Sequence, residues 1–441
     1  MAASIFDSAL YAGLFPTGEA GRLFSDSAAI RAMLLVEGAL AKVQGEAGII
    51  PQISAAAIHR ASLEIQIDPG ALAQSTGQNG VTVPGLVAAF RDEMQAPEHA
   101  AFVHWGATSQ DIMDTGLMLR LRQALALAEQ DIISLLKLLG ASAGTFADTP
   151  IAGRTYGQAA APTTWGAVMA GFGAPLLDAL DTLPALRERA LWVSLSGAVG
   201  TGSMLGPEPA SLRAKLAEAL NLNDPGRSWQ NDRGPALRVT DWLGGVSIAL
   251  GAMGETLTAL ASSEVGETSI VGAGTSSTMP QKQNPVGPES LVALAQQSGA
   301  LRSGMIGASM HQHQRDGAAW FTEWMLVPQI ALSTAAGLQI ANKLAGQITP
   351  DTDKMTAHLQ ANHGLIFAEA LSFALSQQMP RQQAQSETKK LCAAARTQNR
   401  PLHVVASEAY PDLPSTTFET AAQLGTAPQD ARAFSARAKA L

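Results

Sequence analysis

The chain of 441 residues has one cysteine, Cys392. That scarcity excludes an intrachain disulfide and a thiolate metal cluster, and it fits a reducing, cytoplasmic setting. Basic residues are in deficit: the formal charge of -8 leaves no cationic face with which to displace phosphate counterions, so nucleic acid is not an expected partner. The first twenty residues hold an early aspartate and no basic segment leading into an unbroken apolar run, unlike a signal peptide. The most apolar interior stretch, 242–261, is interrupted by Glu255 and several glycines, so a buried helix explains it better than a membrane span. Aromatic residues make up only 5%, and no alternating pattern is long enough to favour sheet.

Alanine and leucine dominate instead, and they favour helix. Met118, Leu121, Leu125, Ala128, Ile132, Leu135 and Leu139 step by three and four, the spacing of one buried stripe on a helix of more than five turns. Comparable periodicity over 167–193, 239–263, 288–310 and 325–345 predicts five long helices packed as a bundle, an all-α protein. Length favours several domains: an N-terminal helical part over 1–110, a central bundle over 111–350, and a C-terminal helical part over 351–441 beginning after the break GQITPDTDK. In the first part, Ser25, Asp26 and Ser27 read as a helix start, with a stop near Gly45 and Gly48. Long apolar helices with uncovered faces predict self-association.

Polar, glycine-rich islands interrupt this pattern: HWGATSQDIMDT (104–115), AGRTYGQAAAPTTWG (152–166), SWQNDRG (228–234), GAGTSSTMPQKQNPVGPES (272–290) and MHQHQRDGAAWFTEW (310–324). Helix N-termini flanked by hydroxyls seat carboxylates or phosphates, and Thr108 and Ser109 suit that role as well as they suit helix capping. Arg154, Arg233 and Arg315 would create a polyanion site if they converged. His104, His311 and His313 are the histidines of these islands. The last two, on an expected helix, would face different sides, and no metal-ligand spacing occurs, so no metal is expected. In 272–290, glycines at one end and prolines at the other suit either a plain connection or a segment that closes over a ligand.

Ser276, Ser277, Met279, Pro280, Lys282, Asn284 and Pro285 stand in the register of the GSSxMPxKxNP signature, and here the chain resembles the fumarase/aspartase superfamily. HWGATSQDIMDT and GRTYGQAAAPTTWG look like its first and second substrate regions, in the same order. Within the adenylosuccinate lyase-like branch, HWGATSQD, AAWFTEW and GLIFAEALSFAL are most similar to the bacterial 3-carboxy-cis,cis-muconate cycloisomerases. The resemblance implies an all-α subunit of three helical domains with a central five-helix bundle, and a homotetramer with active sites shared between subunits. It also implies a small polycarboxylate substrate and no cofactor; with no transmembrane segment proposed, no membrane partner is expected. By position it implies Ser276 as the proton-transfer residue, with Lys282 stabilising enolate charge. It places His104, Thr108, Ser109, Arg154, Thr155, Gln158, Arg233, Asn284 and Arg315 around the substrate.

Three departures accompany it. Amine-releasing relatives commonly carry histidine after the threonine of the second region, where this chain has Tyr156, a poorer acid near neutral pH. A lactone opens to a carboxylate that leaves without a proton, so a cycloisomerase tolerates that loss. Thr275 replaces the first glycine of the signature, and Gln230 stands where relatives are expected to have histidine. The alternatives are adenylosuccinate lyase or a related amine-releasing lyase and, from another class, a non-catalytic binding protein of this fold.

Overall fold

The computed structural model describes residues 4–272, 274, 275 and 278–441, and the fold is all-α. The helix expected to start near Ser25 runs over Asp26–Glu46 (α1): the Ser25 hydroxyl accepts from the Ala28 N–H, and Gly48 just beyond its end adopts φ +67°. The five expected long helices are all present, as Ser109–Thr145 (α2), Trp165–Ala190 (α3), Gly234–Leu260 (α4), Val286–Ala308 (α5) and Gly317–Ala345 (α6). Each begins earlier than its expected span, because first turns such as SQD and GAAW lie outside the three-and-four apolar spacing yet are drawn into the helix. Two of the five, α4 and α6, are long and apolar enough to cross a membrane, but more than half of the most apolar window in each is buried in the protein.

The chain forms two compact units. The first comprises Met1–Asp131, Asp178–Ile248 and Ala293–Gln339, and the second Ile132–Leu177, Ala249–Val292 and Ile340–Leu441. One core serves the first unit. Leu34 and Leu40 of α1, Met118, Leu121 and Leu125 of α2, Leu183 of α3, Val239 and Leu243 of α4, Met305 of α5 and Val327 and Ile330 of α6 are all buried in it. Each such side chain contributes about 1.5–3 kcal/mol on leaving water. The spacing of 118, 121 and 125, read from sequence as a buried stripe, is that stripe.

The second unit contains elements that the sequence pattern did not predict. Pro150–Thr155 (β1) and Gln158–Thr164 (β2) pair antiparallel, with a register shift between Gly153 and Arg154. Tyr156 and Gly157 join them at φ +52° and +72°, the geometry of a two-residue turn whose twist matches the strands. β2 leads into α3, where the Thr164 hydroxyl accepts from the Ala167 N–H. A shorter ladder pairs Gly274–Thr275 with Gln283–Asn284, and Thr268–Ile270 pairs with Ile348–Pro350. Beyond these, Ala368–Leu375, Arg381–Gln398 and Leu402–Ala409 bury Leu371, Leu391 and Leu402 in a small core. Half-buried Cys392 sits on the middle one, where burial pushes its thiol upward despite Arg396.

Candidate active site

In the first unit, residues 104–115 approach and enter the N-terminus of α2. The Thr108 N–H donates to Asp111 Oδ2 at 3.1 Å, a side chain reaching back from the first turn to tie down the start of the helix. Asp111 is fully buried and also accepts from the Ser196 N–H (3.0 Å), the Gly197 N–H (2.9 Å) and the Ser194 hydroxyl (3.0 Å). Burial pushes its carboxyl up, and these donors work against that. The result clamps residues 194–197 to the helix start, with Gly197 at φ +71°.

The Thr108 hydroxyl is thereby left for another partner. Arg315, 207 positions away, donates from Nη2 to Thr108 Oγ1 at 3.0 Å and from Nε to Gln110 Oε1 at 2.8 Å, with a longer contact to the Ala198 carbonyl. All three partners are neutral, and Arg315 forms no ion pair among the described residues. An exposed guanidinium fixed by neutral acceptors beside a helix N-terminus can accept a carboxylate. Ser109, the first residue of α2, is half-buried at the same place.

Arg233, expected among the substrate-binding residues, does not share that seat. It is 1% exposed, donating from Nη1 and Nη2 to Asp114 at 2.7 and 2.9 Å, and from Nε and Nη2 to Glu323 at 2.9 and 2.7 Å. Burial works to lower its pKa, but the two carboxylates outweigh it and hold the guanidinium charged. With every nitrogen engaged by Asp114 and Glu323, the side chain acts on its surroundings through those two carboxylates. Asp114 also accepts from Trp320 Nε1 and from Gln110 Nε2, so the amide that positions Arg315 is itself held by the buried triad. Gln230, standing where relatives were expected to have histidine, is buried and donates to the Gly197 carbonyl at 2.7 Å.

His104 lies on the approach to α2 at φ +63°, and its Nδ1 is 2.7 Å from Glu37 Oε1, a carboxylate of α1 that is 1% exposed. Desolvation pulls the imidazole pKa down, but Glu37 and, more weakly, Asp111 overcome it, and the net shift is upward. His311 and His313 are not on a helix as expected, because α5 ends at Ala308 and α6 starts at Gly317. His313 sits at φ +52°, while both ring nitrogens of His311 are buried without a hydrogen-bond partner.

In the second unit, Arg154, Thr155 and Gln158 all belong to the β1–β2 hairpin, with Thr155 and Gln158 paired across its tip and exposed. Arg154 is tied to the fully buried Glu267 by Nη1 at 2.7 Å, and Glu267 also holds His358 Nδ1 at 2.7 Å. Tyr156 at the tip is fully exposed. Lys282 is exposed, half-buried Asn284 pairs with Gly274, and Pro285 accepts at its carbonyl the Glu289 N–H of the next helix. Gly272 adopts φ +76°. Ser276 lies outside the described residues.

Glu37, Gln110, Asp111, Asp114, Glu267, Glu323 and His358 were not singled out from sequence. Two signals for them are visible afterwards: Glu37 and Glu323 are isolated acids in otherwise apolar helical runs, and buried acids need partners.

A family model described as lyase matches residues 18–298. A 3-carboxy-cis,cis-muconate cycloisomerase from Pseudomonas aeruginosa is 36% identical over 404 residues, covering 90% of this chain and 88% of that protein. The crystal structure of 3-carboxy-cis,cis-muconate lactonizing enzyme from Pseudomonas putida superimposes with a TM-score of 0.90 at 32% identity, covering 98% of this chain and 99% of that one. A fumarate lyase from Mesorhizobium sp. BNC1 gives a TM-score of 0.87 at 29% identity, covering 95% and 97%.

Proposed function

This chain belongs to the lyase family, within the fumarase/aspartase superfamily, and on that premise we propose that it is a cycloisomerase of 3-carboxy-cis,cis-muconate, closing it to a carboxymuconolactone. The observation that carries the reading is the Arg315 guanidinium, fixed at the start of α2 by Thr108 and Gln110 and in no ion pair among the described residues. It is built for an external carboxylate, and a tricarboxylate substrate presents three.

In the lactonising direction one substrate carboxylate, already ionised, attacks an alkene carbon conjugated to another carboxylate, and the adjacent carbon takes a proton. Arg315 and the Thr108–Ser109 turn hold one carboxylate and so fix the reacting chain in a near-attack geometry. Lys282 stabilises the enolate charge that develops, and Ser276 or a water delivers the proton. Arg154, Thr155, Gln158, Asn284 and His104 complete the substrate's surroundings, with Arg233 fixing Gln110 and hence Arg315. The exposed Tyr156 supplies no imidazolium for an amine leaving group, which favours cyclisation over amine release.

The same reading includes a homotetramer with sites shared between subunits, a cytoplasmic location, and the three-part division into 1–110, 111–350 and 351–441. Exposed Ile248, Ile306 and Met325 on the long helices support assembly. Purified protein incubated with 3-carboxymuconate should abolish the diene absorbance without added cofactor, and Ser276→Ala should lose most turnover while keeping its oligomeric state. An inert wild-type protein overturns the assignment.

A further inference from the structure

A cavity of about 350 Å³ lies in the first unit between the start of α1 and helices α2 and α6. None of Thr108, Ser109 and Arg315 lines it. Phe24, Met33, Trp324 and Val327 give it apolar walls, and its volume is within the range of small-molecule sites. Its cation is Arg120, whose Nε is buried without a hydrogen-bond partner and whose guanidinium lies 5.9 Å from the centre of the Phe24 ring. Asp26 is the carboxylate whose charge it feels. That residue is exposed at the start of α1, and the two form no ion pair. Burial drives the Arg120 pKa down to about 10, so the side chain is still a cation at neutral pH.

A buried N–H of a charged group ordinarily has an acceptor, and here the described residues supply none to Arg120 Nε. The remaining wall selects among acceptors. Asp114 and Glu323 also line the cavity, and both are already committed to Arg233. A second anionic group on a ligand would meet these carboxylates and be repelled, whereas a single anionic head at Arg120 with an uncharged body would not.

We propose that this cavity is a second binding site, distinct from the carboxylate seat at Arg315, for a small apolar monocarboxylate such as an aromatic acid. The ligand's carboxylate accepts from Arg120 Nε–H, and its body lies among Phe24, Met33, Trp324 and Val327.

Benzoate is a suitable probe, titrated calorimetrically into the full-length protein. Saturable binding of one benzoate per chain is expected, weakened at least about tenfold in Arg120→Met and for the neutral isostere benzamide with the wild type. Ala29→Leu, which places bulk in the cavity while leaving Arg120 in place, should abolish binding, and Arg315→Ala should leave it unchanged. The benzamide comparison requires no variant, so a poorly folded Arg120→Met does not decide the matter. No saturable benzoate binding, equal affinity for benzamide, or loss of binding in Arg315→Ala with retention in Ala29→Leu overturns the proposal.

Discussion

At the scale of single residues, the Glu37–His104 pair sets one balance of opposing effects. Desolvation favours neutral imidazole, while the buried carboxylate 2.7 Å away favours imidazolium and prevails. In Glu37→Gln the desolvation stands unopposed except by Asp111, so the His104 titration followed by NMR should move to lower pH. The folded-state pKa lies above the unfolded value of about 6.5, so the pair's contribution to stability is complete below that value. It is lost as pH rises through the folded-state pKa. Melting temperatures of wild type and Glu37→Gln should therefore differ most in acid and converge in base. Arg315 is the complementary case, a cation with neutral partners. Arg315→Ala should lose about 1.5–3 kcal/mol of carboxylate binding, seen as a ten- to hundredfold rise in KM with little change in melting temperature. An unchanged KM would remove Arg315 from the substrate seat.

At the scale of elements, the long helices were legible because their buried faces repeat at 3.6 residues, and Ser25 was legible as a cap because its hydroxyl satisfies an N–H that nothing else reaches. The β1–β2 hairpin was not. Its strands read PIAGRT and QAAAPTT, with almost none of the β-branched or aromatic alternation that marks a strand, and its turn carries Tyr156 where asparagine or aspartate would have announced it. The Asp114–Arg233–Glu323 triad joins α2, α4's leading turn and α6 in one buried network. Asp114→Asn leaves part of a buried charge uncompensated and weakens one of the two contacts that hold the Gln110 amide, so it should destabilise the protein by about 3–5 kcal/mol in chemical denaturation. Activity should also fall, through misplacement of Arg315. A variant as stable as wild type would show the triad to be dispensable.

At the scale of the whole molecule, helix content and family signature were readable, but the site was readable only as a set of islands. Thr108 and Arg315 are 207 positions apart, and periodicity carries no information about which distant loops meet. The same ignorance of context made Arg233 look like a ligand-binding cation, since nothing local to SWQNDRG announces that Asp114 and Glu323 surround it. Exposed Ile306, at 60%, is a test of assembly: Ile306→Glu should lower the mass of the particle in light scattering while preserving helical circular dichroism. If the mass is unchanged, that face lies outside the interface. The lone, half-buried Cys392 makes the count direct. Because burial suppresses its thiolate, it should label slowly near neutral pH and faster in mild alkali. Each chain then carries a single fluorophore, and the number of bleaching steps per particle reads out its number of subunits without any engineered cysteine.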